Sequence, residues 1–320
     1  MRAIPLLTLL LGGWFVVPAH ADEAQDWLTR LGQAEQQQSF RGTFIYERNG
    51  SFSTHNIWHR VQDGKVRERL LQLDGSAQEV VRIDGHTQCV SGNLIAGLGD
   101  SPNSAARALD PQKLKNWYDL AVIGKSRVAG RAAVIVSLTP RDQHRYGFEL
   151  HLDKETGLPL KSLLLDDKGR LLERFQFTQL DTADVPSDSE LQPGADCKVV
   201  NLESNKASAV KAAQEWHSDW LPPGFELTSS TARKDPETKT QVSSLLYDDG
   251  LARFSVFLEQ LNGAAVIDTR TQLGPTVAVS RRLTTPQGEM MVTVVGEIPA
   301  GTAERIALSM RTDAAAATQQ

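Results

Sequence analysis

The dipeptide Asn49-Gly50 lies between two runs of β-favouring residues within 40–61. Asn-Gly readily adopts the positive φ angles of a type I′ turn, which joins two antiparallel strands. Side chains alternate between the faces of a strand. One face of the first run carries Phe40, Gly42, Phe44 and Tyr46, and one face of the second carries Phe52, Thr54, Asn56, Trp58 and Arg60. The pattern predicts a β-hairpin with a buried or cavity-lining face.

Six further runs have strand character, and short turns with glycine separate most of them. The predicted strands are Lys65–Leu73, Glu79–Ile83, Ala132–Leu138, Tyr146–Leu152, Pro159–Leu165 and Leu171–Leu180. The turns contain Asp63-Gly64, Asp74-Gly75, Asp84-Gly85, Gly157 and Gly169. Parallel pairing would need long crossover connections, so these short turns predict a large, curved antiparallel sheet.

The 320 residues are enough for two ordinary domains. Residues 22–38 have the apolar spacing of a helix that packs on the sheet. The acidic segment 181–196, rich in Pro and Ser, has the composition of an exposed boundary and is a candidate hinge. A hairpin over 242–261 and a last helix over 302–310 predict a smaller α+β unit after it. The expected domains are 22–200 and 201–320, in an α+β fold.

Residues 1–21 resemble a cleaved secretory signal. Arg2 precedes an apolar run over 4–17, and Ala19-His20-Ala21 fits the small-x-small cleavage pattern. The run is shorter than the ~20 residues that a spanning helix needs. We therefore expect an exported, soluble mature chain.

Cys89 and Cys197 are the two cysteines of the chain. An exported protein with an even number of cysteines can form a disulfide, and this one would close a loop of roughly 100 residues. Two buried free thiols are the alternative, and the sequence leaves both open. Two cysteines alone do not make a structural zinc site.

The search for catalytic motifs gives no positive indication of an enzyme or a cofactor. Nucleophile-elbow, Walker, His-Glu-x-x-His and Cys-x-x-Cys patterns are absent from the sequence. His55 and His59 are four residues apart on a strand, a spacing of roughly 13 Å, so we expect solvent-facing side chains and no shared metal ion. The pairs Asp166-Asp167 and Asp248-Asp249 are explained by turn formation. A net charge of -5 argues against nucleic acid.

Two features favour binding. A basic patch could contact phosphate or carboxylate groups, although a solvated sheet face is the simpler explanation; its residues are Arg60, Lys65, Arg67, Arg69 and Arg82. An apolar sheet face with little helix to cover it could hold an acyl ligand rather than form ordinary core. The candidate lining residues are Phe44, Tyr46, Trp58, Phe148, Leu150, Phe175 and Phe177. The Gly-rich segment 91–103, with Leu94, Ile95 and Leu98, is either a flap over that groove or a locally docked connection.

Several of these stretches together resemble the MucB/RseB family of periplasmic regulators, and the MucB branch in particular. The stretches are Gly42–Arg48, Ser53–Arg60, Leu152–Leu160 and Trp220–Phe225. Each is a turn or strand signature, so the specificity lies in their order and combination, which spans nearly the whole mature chain.

The resemblance implies a half barrel similar to the lipoprotein carriers LolA and LolB, plugged by helices and followed by a smaller domain. It implies a periplasmic protein that binds an anti-sigma factor similar to RseA or MucA and shields it from site-1 proteolysis. Lipopolysaccharide or mislocalised lipoproteins would release it, so the resemblance implies roles in the envelope stress response, transcription regulation and alginate regulation. Homo-oligomers are compatible with it, and it carries over no catalytic residues. A lipid or lipoprotein carrier of the LolA type is the alternative.

Overall fold

The computed structural model describes residues 19–76, 78–91, 109–200, 216–234, 240–261, 263, 266–285 and 288–312. The predictions for the apolar run of the signal peptide and for Leu94, Ile95 and Leu98 lie outside these residues. No helix within the described ranges combines the length and the hydropathy that crossing a membrane requires.

Eleven antiparallel strands form one open sheet, with the spatial order β11-β5-β4-β3-β2-β1-β10-β9-β8-β7-β6. The strands are β1 Phe40–Arg48, β2 Ser51–Gln62, β3 Lys65–Gln72, β4 Glu79–Ile83, β5 His86–Val90, β6 Tyr118–Val128, β7 Arg131–Pro140, β8 Gly147–Asp153, β9 Pro159–Leu165, β10 Leu171–Asp181 and β11 Lys198–Val199. The predicted large antiparallel sheet is confirmed. Strand β6 was not among the predicted strands, because Lys125, Ser126 and Arg127 hide its apolar alternation.

Tight turns set the register of this sheet. Asn49 and Gly50 have φ angles of 52° and 73°, as a type I′ hairpin requires, and Asp63-Gly64 and Asp84-Gly85 repeat the pattern. Because the first turn holds two residues, Arg48 pairs with Ser51 and Phe44 with His55. The register therefore decides which side chains share a face.

Helix α1, Ala19–Gln37, packs on one face of the sheet, which we call the helix face. Its buried residues Ala24, Leu28 and Leu31 form a core with apolar side chains of β6, β7 and β8. Fully burying a leucine contributes about 1.5–3 kcal/mol, so this stripe is sufficient to fix the helix on the sheet. The predicted helix began three residues later, at Asp22.

A second sheet of six antiparallel strands has the order β13-β14-β15-β18-β17-β16. Its strands are β13 Glu226–Lys234, β14 Gln241–Asp248, β15 Arg253–Gln260, β16 Thr269–Leu273, β17 Thr276–Thr285 and β18 Gly288–Gly296. Helix α3, Ala300–Ser309, buries Ala303, Ile306 and Ala307 against it. Strands β12, Trp216–Ser218, and β19, Met310–Thr312, pair beside this layer. The smaller α+β unit is thus confirmed.

The short helix α2, Pro111–Leu114, precedes β6 and begins at an Asp-Pro pair. The carboxylate of Asp110 accepts hydrogen bonds from the backbone N–H groups of Gln112 and Lys113, and Pro111 occupies the first turn. Leu114 is fully buried in the core under α1. This helix places Trp117 and Tyr118 next to the second sheet, as described below.

Candidate binding site

Four of the residues predicted to line a ligand site meet on the helix face. Phe44 pairs with Phe177 and Tyr46 with Phe175 across β1 and β10. The ring of Phe44 lies 4.7 Å from that of Phe175 and 5.9 Å from that of Phe177, within the range of favourable aromatic contacts. Gly42 makes room for this packing, because a Cβ there would lie 2.7 Å from the ring of Phe177.

The aromatic cluster is covered over only part of its area. Phe44 and Phe177 are buried under Ala34, in the last turn of α1, and under Leu158. The half-buried members of the cluster are Tyr46, Ile57, Leu70 and Phe175. Because the rest of α1 packs on β6, β7 and β8, these side chains present a partly open apolar surface. An acyl chain could extend along it.

The remaining lining candidates divide into three groups. Phe148 and Leu150 belong to the neighbouring core beneath α1, so they support the helix. Trp58 is on the wrong face: it pairs with Arg41, and its ring lies 5.0 Å from the guanidinium of Arg69. Its inclusion with Phe44 was an error of register. The third group, Leu94, Ile95 and Leu98, lies outside the described residues.

His55 and His59 are not solvent-facing, contrary to the prediction. They stack on Phe44 and Phe40 with ring centroids 5.0 and 4.8 Å apart, because the hairpin register places each histidine opposite a phenylalanine. His59 is buried, with Nδ1 at 2.9 Å from Glu68 and Nε2 at 3.0 Å from the carbonyl oxygen of Glu35. Burial lowers the pKa of His55. Within the described ranges no group of His, Cys, Asp or Glu side chains is placed to hold a metal ion.

The opposite face of the first sheet, which we call the arginine face, is covered by the chain's own acidic segment 181–196, the acidic arm. Arg60 donates to Asp188 at 2.6 Å and to the carbonyl oxygen of Pro186 at 3.2 Å. Arg67 lies 3.7 Å from the same Asp188 carboxylate. These arginines, which the sequence predicts to contact an external anion, thus already pair with a carboxylate of the chain itself.

Arg69 and Arg41 continue this arrangement along the sheet. Arg69 donates to Glu79 at 2.6 Å and to the carbonyl oxygen of Glu190 at 3.0 Å. Arg41 pairs with Asp181 at 3.0 Å and with Glu190 at 3.1 Å. Two members of the predicted basic patch remain outside the contact with the arm. Lys65 is exposed at the beginning of β3, and Arg82 lies on the helix face, opposite Glu68 in the register.

Arginines and hydrogen bonds lower the pKa of two carboxyl groups of the arm, those of Glu190 and Asp188. Hydrogen bonds from the backbone and side chain of Ser187, together with Arg41, lower the pKa of Glu190 to about 2. Arg60 lowers the pKa of Asp188. The arm continues to Cys197, which forms a disulfide with Cys89 of β5. The arm is mostly exposed, but these contacts oppose the free movement that a hinge would need.

The two domains meet at a buried ion pair. The guanidinium of Arg145, in the loop between β7 and β8, donates to Asp249 at 2.9 Å, and neither side chain is exposed to solvent. Arg145 also donates to the carbonyl oxygen of Pro223, and Tyr118 donates to Asp249 at 3.3 Å. The ring of Phe225 lies 5.1 Å from the guanidinium. Arg145 also pairs with Asp142 at 3.2 Å, whereas removing Arg145 would leave Asp249 as a buried carboxylate without a counter-charge.

Comparison with known proteins decides the family of this two-domain chain. Residues 23–195 match the family model of the MucB/RseB N-terminal domain, and residues 210–311 match that of the MucB/RseB C-terminal domain. The chain belongs to the MucB/RseB family. The sigma factor AlgU regulatory protein MucB of Pseudomonas aeruginosa is 62% identical over 318 residues, 99% of both chains. The sigma-E factor regulatory protein RseB of Escherichia coli K12 is 29% identical over 294 residues, 90% of both chains.

Solved structures of MucB share this architecture. The MucA/MucB complex of Pseudomonas aeruginosa is 62% identical, covers 90% of this chain and 98% of that chain, and superposes with a TM-score of 0.81. MucB in complex with MucA(peri), with the same identity and coverage, gives 0.78. A crystal structure of MucB superposes with a TM-score of 0.68. It is 59% identical and covers 91% of this chain and 98% of that chain.

In this member of the MucB/RseB family, sequence reasoning missed the residues that join the domains. Asp249 was interpreted as a turn former, and it does accept hydrogen bonds from the backbone N–H groups of Leu251 and Ala252. Its second oxygen, however, binds Arg145, which is 104 residues distant. The polar residues clustered in the loop from Arg141 to Arg145 indicate a polar contact, but they do not identify Asp249 as the partner.

Proposed function

We propose that the chain is a periplasmic negative regulator of an envelope-stress sigma factor. In this role it binds the periplasmic segment of a transmembrane anti-sigma factor and protects that segment from site-1 proteolysis. Lipopolysaccharide, or the signal of mislocalised lipoproteins, weakens this binding and permits proteolysis. The chain acts by binding, without catalysis.

One observation carries the proposal: the chain is 62% identical, over 99% of its length, to an AlgU regulatory protein whose structure is known in complex with MucA. Over such a length, both domains and the surfaces that they present are expected to be retained. The proposed partner is therefore an anti-sigma factor similar to MucA. The secretory signal proposed for residues 1–21 accounts for a periplasmic location.

In this proposal, residues 22–200 bind the lipid, and residues 201–320 contribute part of the partner-binding surface. The partly open aromatic cluster, with half-buried Tyr46 and Phe175, offers apolar area for an acyl chain. A lipid that binds better to the partner-free arrangement of the domains weakens partner binding by its differential affinity for the two arrangements, and by no more. Lipid and partner therefore lower each other's affinity even where they contact different residues.

Calorimetric titration of residues 22–320 with the periplasmic segment of the cognate anti-sigma factor tests the proposal. We expect a Kd of about 1 μM or below, and a higher Kd when lipopolysaccharide is present. The chain should also protect the segment from the purified site-1 protease, and this protection should be weaker when lipopolysaccharide is present. Absence of binding to the segment would refute the proposal. Lipid binding without affinity for the segment would instead indicate a lipid or lipoprotein carrier.

Two phenylalanine variants test the lipid site. Phe175→Ala removes a half-buried ring of the aromatic cluster, whereas Phe52→Ala removes a ring of the same sheet that is 63% exposed. We expect the first substitution, and not the second, to reduce the effect of lipopolysaccharide on the Kd for the segment. Equal responses of the two variants would place the lipid elsewhere.

A further inference from the structure

The contact between the two domains has a buried centre and a partly exposed edge. The interface centre contains Arg145 and Asp249, which are fully enclosed. Apolar contacts surround the pair: Leu251, from the second domain, packs on the core beneath α1, and Gly224 lies against the ring of Trp117. Tyr146 adds a hydrogen bond to the carbonyl oxygen of Ile298 at 3.2 Å.

The interface edge is formed by the tips of two hairpins, and Arg48 is its main residue. Arg48 is the last residue of β1, next to the Asn49-Gly50 turn. Its Nη2 atom donates to the hydroxyl of Thr276, the first residue of β17, and lies 3.3 Å from the carboxylate of Glu297. These contacts join the edge of the first domain to the start of β17 and to the residue that follows β18.

The turn between β16 and β17 rests directly on the side chain of Arg48. A Cβ atom added to Gly274, whose φ is 58°, would lie 2.8 Å from Cγ of Arg48, so the backbone of the turn touches the aliphatic part of the arginine. On the other side, Nε of Arg48 lies 3.8 Å from Glu173, which accepts a hydrogen bond from Tyr46 at 2.5 Å. Arg48 thus lies between the aromatic cluster and the second domain.

The two parts of the interface differ in how readily they open. The side chains of Arg48 and Glu297 are 29% and 47% exposed, so water and salt screen their attraction. Separating Arg145 from Asp249 would leave the buried carboxylate of Asp249 without its counter-charge. A rotation that keeps the interface centre and separates the interface edge is therefore the least costly rearrangement of the domains.

The shape of the whole chain can be compared with those of the solved relatives. The chain superposes more closely on the two structures of MucB with MucA than on the structure described as MucB only, at nearly equal sequence identity. As a whole, this chain is therefore more similar in shape to the partner-bound relatives.

We propose that Arg48 is a positioning residue for binding of the anti-sigma segment: its contacts with Thr276 and Glu297 hold the domains in the arrangement that binds the segment. The inference rests on the proposed function for the identity of the partner. The role of Arg48 in holding the edge closed is independent of it. Opening of the edge weakens partner binding while both domains remain folded.

The test compares Arg48→Ala with Arg170→Ala in the mature chain. Arg170 is 72% exposed and pairs with Asp166 in the turn between β9 and β10, so its loss controls for the removal of a surface arginine. Spin labels on Phe52→Cys and Leu273→Cys, exposed positions on the two sides of the edge, report the distance between the domains. Titration with the anti-sigma segment reports the Kd, and circular dichroism reports folding.

We expect Arg48→Ala to lengthen the label distance and to raise the Kd about tenfold, with both domains folded and with no change in Arg170→Ala. An unchanged distance would overturn the role of Arg48 at the edge, and a longer distance with an unchanged Kd would overturn its role in partner binding. A wild-type chain that does not bind the segment would refute the proposed function, while the distances would still decide whether Arg48 closes the edge.

A second variant controls for a general effect of losing an arginine. Thr276→Val removes the acceptor hydroxyl from the other domain and keeps the β-branched shape of the side chain. If the contact acts as proposed, Thr276→Val also raises the Kd, and the double variant Arg48→Ala/Thr276→Val is no weaker than Arg48→Ala alone. Fully additive effects would show that the two residues act separately and would overturn the inference.

Discussion

Gly224 provides a way to disturb the interface centre by adding a single methyl group. It has a φ of 89°, and an added Cβ would lie 2.2 Å from Cε2 of Trp117, well inside the ~3.5 Å at which carbon atoms make contact. Trp117 is half-buried and lies 5.7 Å from the guanidinium of Arg145. Gly224→Ala must therefore displace Trp117, or move the second domain away from it.

The expected cost has two parts. An L-residue in the left-handed region costs about 1–2 kcal/mol, and overpacking of a well-packed site costs about 1–3 kcal/mol. Gly169→Ala is the matched control, because Gly169 has a φ of 72° and nothing within 4 Å of an added Cβ. The control carries the backbone cost alone, so the difference between the variants isolates the contact with Trp117.

Urea denaturation followed by tryptophan fluorescence measures both variants. We expect the free energy of unfolding to fall by about 2–5 kcal/mol in Gly224→Ala and by about 1–2 kcal/mol in Gly169→Ala. Separation of the domains would instead divide the unfolding curve of Gly224→Ala into two transitions, because the domains would no longer unfold together. If both variants lost equal stability with a single transition, the close packing of Gly224 on Trp117 would be refuted.

Three further predictions concern the first domain. Leu28→Ala should lower the free energy of unfolding by about 2–5 kcal/mol in urea, because this side chain is fully buried under α1, whereas exposed Gln33→Ala should not. Replacing Cys89 and Cys197 together by serine should lower stability by at most about 4.7 kcal/mol in thermal denaturation, because their sequence separation of 108 closes a long loop. The third concerns pH. The contacts of Glu190, whose pKa is lowered to about 2, should be fully present above the unfolded value of about 4.3 and lost as the pH falls towards 2. Amide-exchange protection factors of residues 181–196, each referred to the intrinsic exchange rate at that pH, should therefore be high at pH 5 and lower near pH 2; equally low protection at both pH values would contradict the attachment of the arm.

Local sequence signals were sufficient to predict the hairpins, and one further step would have corrected the candidate site. A two-residue turn at Asn49-Gly50 pairs Arg48 with Ser51, so Phe44 must pair with His55 and Arg41 with Trp58. This register places Trp58 on the face opposite Phe44, and it places both histidines over phenylalanine rings. The turn therefore fixes the faces of both strands together, so the faces of one strand follow from those of the other.

Contacts between distant loops could not be predicted in the same way. Arg145 and Asp249 are 104 residues apart, and each lies in a loop whose polar residues are explained locally. The same is true of Arg41, which is 149 residues from Glu190. A strand's period identifies its buried face, but it does not identify the charge that meets a loop residue after folding. Such pairs can be identified only from the folded structure, in which the two domains, or the sheet and the acidic arm, lie against each other.

The attachment of the acidic arm changes where relative motion of the domains can arise. A hinge over 181–196 requires a segment that can rotate, yet Arg41, Arg60 and Arg69 hold it on the sheet. The disulfide of Cys197 and the pairing of β11 with β5 extend this attachment to Val199. The arm therefore moves with the first domain, and the covalent link between the domains lies after it. The noncovalent interface then controls their arrangement, and there the partly exposed contacts of Arg48 separate more easily than the buried pair of Arg145 and Asp249.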